Sequence, residues 1–265
     1  MKKNRNKTKV ARIIHAIVLL SVSLPIIFLV IKIVQMSVAP PEETYRNVAD
    51  YVLMLVECIL GILVIELPDI LEAKFNVVTP PRIYLLYLIF LYCSIFLGEV
   101  ASFYYRVPYW DDMLHAMSSM MLGALGLSLV MVLNRDRHVL VKLSPAFISV
   151  FAFCFAVSIG AIWEIYEFTL DGILGLNMQK YAVEGGGEDL IGRLALIDTM
   201  QDIIIDCLGA LFISVIGYIS NKRNKNWLSK WTFTVKPKEE PVALEDPVAL
   251  EEPEDAKNNK TSVEC

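Results

Sequence analysis

The stretch "AFISVFAFCFAVSIGAIWEIYEF", residues 146–168, runs from Ala146 to Trp163 without a charge and then sets Glu164 and Glu167 three positions apart. An apolar run of this length is close to the ~20 residues that carry a helix across a bilayer core. Its backbone must satisfy its own hydrogen bonds there, which selects helix over any open strand. The two glutamates stand where lipid should end, and they are the second half of the problem.

Runs of the same kind recur on both sides. With this one they give six predicted spans, at 13–36, 48–67, 83–103, 113–133, 146–168 and 203–220. The chain has 265 residues, is 55% hydrophobic and has a positive mean hydropathy. Six such helices would overfill the core of a soluble domain of this size. The fold class read from the residues is therefore all-α: a polytopic transmembrane helical bundle of about six spans with a disordered acidic C-terminal tail. Three parts follow: a basic N-terminus over 1–12, a membrane domain over 13–220, and a basic-then-acidic tail over 221–265. From Lys236 the tail is rich in Glu, Asp and Pro and lacks aromatic residues, too little apolar surface to offset the entropy of ordering it. The first apolar stretch is too long for a signal peptide and lacks a small-residue cleavage site, so it is read as a membrane anchor.

Four of the five cysteines, Cys58, Cys93, Cys154 and Cys207, fall inside spans. They are read as small hydrophobes rather than as a disulfide or zinc framework. Lysine and arginine cluster before the first span and after the second, fourth and sixth. That alternation expects both termini in the cytoplasm.

On that topology the acidic motifs share the outer side. "YWDDMLHAMSS" carries Asp111, Asp112 and His115, "WEIYEFTLD" carries Glu164, Glu167 and Asp171, and "DTMQDIIID" carries Asp198, Asp202 and Asp206. Spacings of three and four put each set on one helix face. If the three stripes meet, they form an oxygen-rich pocket with one imidazole. Several carboxylates near lipid stay ionised only with compensation: a bound cation, retained protons, or pairing with Arg106 and Arg193. A divalent cation held by Asp111, His115, Glu164, Glu167, Asp198 and Asp202 suits hard oxygen donors with one nitrogen. Taken one at a time, the same residues have plainer roles: snorkelling glutamates, and helix caps at Asp111 and Asp198. Elsewhere, Glu57 is a lone mid-span acid, and His15 and His138 are read as surface groups beside basic residues. "EGGGED", 184–189, is read as a flexible loop, and Gly123, Gly126, Gly209 and Ala210 as helix-packing positions.

The three motifs, in this order, resemble the YjdF-like family of bacterial inner-membrane proteins, a domain of unknown function. The resemblance covers roughly 80–220 and marks Asp111, His115, Glu164, Glu167, Asp198, Thr199, Asp202, Gly209 and Ala210. Asp112 and Asp206 fall outside its pattern, and Ser119 stands where many members have glycine. More distantly the order of motifs is similar to VanZ-like membrane proteins, associated with glycopeptide tolerance, although Asp206 and Cys207 replace an expected asparagine.

Three functional readings stay open. In one, the protein is a metal-dependent membrane enzyme acting on a lipid or lipid-linked phosphate, with Asp111, His115, Glu164 and Glu167 as catalytic groups and His115 as general acid or base. Arg106 and Arg193 would then hold the headgroup. In another it is a cation- or proton-coupled carrier, and in the third a structural scaffold. The expected partners are the bilayer and a lipid headgroup or lipid-linked phosphate, with no nucleic acid.

Overall fold

The computed structural model describes residues 8–38, 46, 48–135, 142–183, 188–223 and 233–235. Most of the basic N-terminus, His138, Glu184 to Gly187 of the glycine loop, and the acidic tail from Lys236 lie outside the described residues. Among the described residues, six helices are long and apolar enough to cross a membrane. They are α1 (Lys9–Val38), α2 (Val48–Phe75), α3 (Pro81–Leu91) with its π-helical continuation Tyr92–Val100, α5 (Trp110–Arg135), α6 (Pro145–Leu174) and α7 (Ile197–Lys222). All six predicted spans are present, and most run past their expected ends.

Local chemistry explains several of those ends. Ser144 caps α6 by accepting the Phe147 N–H at 3.2 Å, and Pro145 occupies the first helical position, where no N–H is needed. Gly175, at φ +65°, closes the same helix in the left-handed conformation a glycine adopts without cost. α7 begins at Ile197, after a 3₁₀ turn over Gly192–Leu196, six residues before the start read from hydropathy. Hydropathy marks only where charge stops, so it missed the turn that carries Asp198 and Asp202. The third span changes winding at Tyr92 and ends at Ser102, whose φ of +63° turns the chain into the short α4 (Phe103–Arg106). Arg46 braces that corner, donating to Ser102 Oγ at 2.8 Å and to the Glu99 carbonyl at 3.2 Å.

The helices form two packed groups. α5, α6 and α7 pack on one another, and α1, α2 and α3 with its π segment make a second group. The groups touch where α3, the π segment and α4 meet α5. At the opposite end from the acidic motifs, β1 (Val77–Val78) pairs antiparallel with β2 (Thr234–Val235). The Phe233 N–H donates to Ser128 Oγ of α5 at 3.3 Å. Residues 233–235, expected within the disordered tail, are thus strapped back onto the bundle. His15 is likewise not a free surface group: its Nδ1 lies 2.6 Å from the Tyr84 hydroxyl and its Nε2 3.0 Å from Glu66, tying α1, α2 and α3 together.

The pattern of exposure is inverted with respect to a soluble bundle. On α6 the buried stripe is Ser149, Ala152, Ala156, Gly160, Glu164, Glu167 and Asp171, while Ile165 and Phe168 are 64% and 69% exposed. On α7, Asp202, Asp206, Ala210 and Ser214 are buried and Leu208 and Phe212 face out. Water would drive this arrangement inside out; hydrocarbon stabilises it, because its tails accept leucine and phenylalanine and reject carboxylates.

Candidate functional site

The three acidic stripes meet. α5, α6 and α7 each turn one toward their common axis. The buried polar residues are His115 from α5, Glu164, Glu167 and Asp171 from α6, and Asp202 and Asp206 from α7. Asp111 and Asp198 stand half-buried at the mouth. Neither serves as the helix cap that its position suggested: both carboxylates take the Lys180 ammonium, at 2.7 Å for Asp111 Oδ2 and 2.8 Å for Asp198 Oδ1.

At the centre, one ligand atom from each of Asp111, His115 and Asp202 lies within 4.8 Å of the others, a spacing that could hold a metal ion. His115 Nε2 is 3.8 Å from Asp111 Oδ1, and its Nδ1 is 3.4 Å from Asp206 Oδ2. Asp202 is 1% exposed, and neither of its carboxylate oxygens has a hydrogen-bond partner among the described residues. Glu164 Oε1, Asp198 Oδ2 and Asp206 Oδ1 are buried and unpartnered in the same sense. Glu164 Oε2 takes the Gln179 amide at 3.4 Å, and that amide also donates to Thr199 Oγ1 at 2.8 Å. Glu167 accepts the Trp163 indole N–H at 2.9 Å. Asp112 lies at the rim and takes the Gln201 amide at 2.8 Å.

The loop after α6 closes the mouth. Asp171 accepts the backbone N–H groups of Met178 and Gln179 at 2.8 and 3.0 Å. Asn177 clamps Ala182 through both its N–H and its carbonyl, each at 2.9 Å. Lys180 is held between them at φ +47°, an uncommon conformation for a residue with a side chain. Burial pulls the Lys180 ammonium toward its neutral form, but Asp111 and then Asp198 outweigh it and hold its pKa above the ordinary lysine value. Lys180 and Gln179 were not anticipated from sequence. They lie in a loop with no periodicity, and the signal present was a lone lysine among outer-side acids. Arg106 and Arg193, considered as counter-ions, are exposed on α4 and on the 3₁₀ turn. Among the described residues, the lysine or arginine that pairs with the cluster is Lys180.

Six carboxylates, Asp111, Glu164, Glu167, Asp198, Asp202 and Asp206, therefore share one lysine and one imidazole. Like charges packed at this density in a low-dielectric setting demand further positive charge, as protons or as a cation. The acidity also continues away from the mouth. Glu57 of α2 has Glu99 and Glu167 as electrostatic neighbours, so the mid-span glutamate faces the seam between the two helix groups. Tyr104, on α4 between spans, is kept protonated first by burial and then by Asp111, Glu99, Glu57 and Glu167 around it.

Comparison with known proteins agrees with a membrane-spanning chain. Residues 14–223 match the family described as predicted membrane protein (DUF2238). That match adds the first two spans to the region whose motifs carried the resemblance. An uncharacterized protein of Thermotoga maritima is 30% identical over 123 residues, covering 46% of this chain and 54% of the relative, so the chain spans about half the length of that protein. No solved structure matches the chain. Since the matched residues reach all six spans and include the whole acidic cluster, the chain belongs to the YjdF-like family of predicted membrane proteins (DUF2238).

Proposed function

We propose that the protein, with both termini in the cytoplasm of a bacterial cell, holds a divalent cation at Asp111, His115 and Asp202. The cation then serves chemistry on a lipid or lipid-linked phosphate at the outer leaflet. One observation carries the reading: Asp202 is buried with both carboxylate oxygens unpartnered among the described residues, beside an imidazole and a second carboxylate at ligand spacing. Burying an ionised carboxylate without partners costs several kcal/mol, so this group is arranged for something that supplies positive charge. Carboxylates with one imidazole and no thiolate suit Mg²⁺, Mn²⁺ or Zn²⁺.

Each residue then has a task. A divalent ion supplies Lewis acidity toward a phosphoryl oxygen. Lys180 fixes Asp111 and Asp198 and presents an ammonium at the mouth where an anionic headgroup arrives. Glu164, with its free Oε1, is the group that accepts a proton, and Glu167 lies behind it. Arg106 and Arg193, exposed at the outer rim, meet headgroups at the interface.

The experiment is elemental mass spectrometry on the purified full chain after supplementation with Mg²⁺, Mn²⁺ and Zn²⁺. Near-stoichiometric metal that is lost in a folded Asp202→Asn variant is expected. A folded wild type without metal would sink the proposal. The acidic continuation to Glu99 and Glu57 favours a second reading, a cation- or proton-coupled carrier, because a pathway needs polar steps deeper in the membrane. Metal-free protein in liposomes whose proton flux is abolished by Glu57→Gln would favour that carrier.

A further inference from the structure

We infer that Asp206 is the positioning residue of His115, and that Gly160 is the seat that lets it act. Asp206 accepts the His115 Nδ1–H, which leaves Nε2 bare and turned to the side of Asp111. The ring orientation stands on geometry alone; its consequence for a metal rests on the proposed cation site.

The ring is contacted from two sides. Nδ1 lies 3.4 Å from Asp206 Oδ2, and Nε2 lies 3.8 Å from Asp111 Oδ1. His115 and Asp206 are both buried, which shields the Nδ1 proton from bulk water. A carboxylate on the far nitrogen of a metal-ligating histidine fixes its tautomer and raises its basicity. Asp206 stands one helical turn after Asp202 on α7, which gives one face both a ligand and the group that orients the next ligand.

Gly160 supplies the independent support. A Cβ placed there would collide with Asp206 Oδ2 and stand 3.0 Å from its Cγ. The same stripe of α6 uses alanine at 152 and 156, where helix packing alone sets the size, and both alanines are fully buried. Only at 160, against the Asp206 carboxyl, is the side chain removed altogether. Glycine inside a helix costs roughly 1 kcal/mol relative to alanine, and here the cost is offset by the approach of Asp206.

The test uses the full chain in nanodiscs with ¹⁵N-labelled histidine, the His115 signal being assigned by its disappearance in His115→Gln. At alkaline pH and without metal, the wild type is expected to carry the His115 proton on Nδ1. Gly160→Ala and Asp206→Asn are each expected to move it toward Nε2, and to weaken Mn²⁺ binding by about 10- to 100-fold. Asp206→Asn preserves shape and keeps the test decisive if Gly160→Ala fails to fold. A wild-type ring protonated on Nε2, or an Asp206→Asn protein with unchanged tautomer, overturns the inference. Wild type that binds no Mn²⁺ yet shows the Nδ1–H tautomer, lost in Asp206→Asn, removes the cation site and leaves the positioning role standing.

Discussion

The two helix groups face the same lipid and differ in what they bury at the end that carries the acidic motifs. The opposite end of α5–α7 holds an apolar cluster of its own, Leu127, Val130, Ile148 and Ala152. α1, α2 and α3 enclose Val18, Val22, Leu29, Met54, Cys58, Ile65 and Leu88, an apolar core. α5, α6 and α7 enclose Ser119, Ser128, Glu164, Glu167, Asp202 and Asp206 beside glycine and alanine. Their outer faces are alike: Leu24 and Ile27 on α1 are as exposed as Ile162 and Ile165 on α6. Lipid therefore dictates the outside of both groups and the inside of neither. In hydrocarbon an apolar core gains no transfer energy, since tails are as apolar as leucine, and close packing is what remains. A polar core gains hydrogen bonds and ion pairs but is destabilised by every charge left alone. By this argument close packing holds the first group together, and the second is committed to balancing its acids with positive charge.

The largest expected effect tests that commitment. Lys180→Met should destabilise the α5–α7 group by about 3 kcal/mol, the lower end for breaking a buried pair because Lys180 is partly exposed. Unfolding in mixed detergent micelles reads it, and adding Asp111→Asn should recover much of the loss. No change in Lys180→Met would mean that the cluster is already neutral without it. The pH dependence follows from the same group. Its folded-state pKa lies above the ordinary lysine value, so deprotonation of Lys180 weakens the pair only as pH rises past 10.5 through the higher folded value. At acid pH the pair is lost instead by protonation of its carboxylate partners. A stability difference between wild type and Lys180→Met that shrinks as pH rises through neutrality would contradict the pairing.

These two halves were unequally legible. Six spans could be read because span length and the absence of charge are properties of single segments. The three acidic stripes could be read because Glu164, Glu167 and Asp171, or Asp198, Asp202 and Asp206, repeat at helical spacing. Their convergence depends on how α5, α6 and α7 pack, which no single helix encodes. Lys180 was invisible for a different reason: it is delivered by Asp171 and Asn177 gripping a loop backbone, and such grips have no period. The role of Asp206 was obscured because it falls outside the family pattern, although its four-residue step from Asp202 was in view.

A smaller effect is expected on the apolar side. Leu88 is completely buried against α1 and α2. Leu88→Ala should cost about 2 kcal/mol, the packing share of a typical cavity mutation, since lipid supplies no transfer term. Metal content should stay at the wild-type level. If Leu88→Ala also removes the metal, the two groups are not separable, and the seam through Glu57 and Glu99 couples them.

The smallest effect lies at a close contact between α5 and α7 in the polar group. A Cβ on Gly209 of α7 would collide with Ser119 Oγ and lie 3.1 Å from the Ala116 carbonyl oxygen. Gly209→Ala should therefore cost about 1 kcal/mol, an overpacking strain partly relieved by alanine's better helix propensity. Ser119→Gly removes the hydroxyl that is in the way, so the double variant should recover stability relative to Gly209→Ala alone. A double-mutant cycle in the unfolding assay measures that coupling directly. Additive losses would mean that α5 and α7 can shift apart at this level, and Asp202, two turns away from Gly209, would then not be held by backbone contact. A strong coupling instead makes the glycine–serine contact part of what keeps Asp202 at ligand distance from His115. In that case Gly209→Ala should also weaken metal binding, which an equal loss of stability at Leu88 should not do.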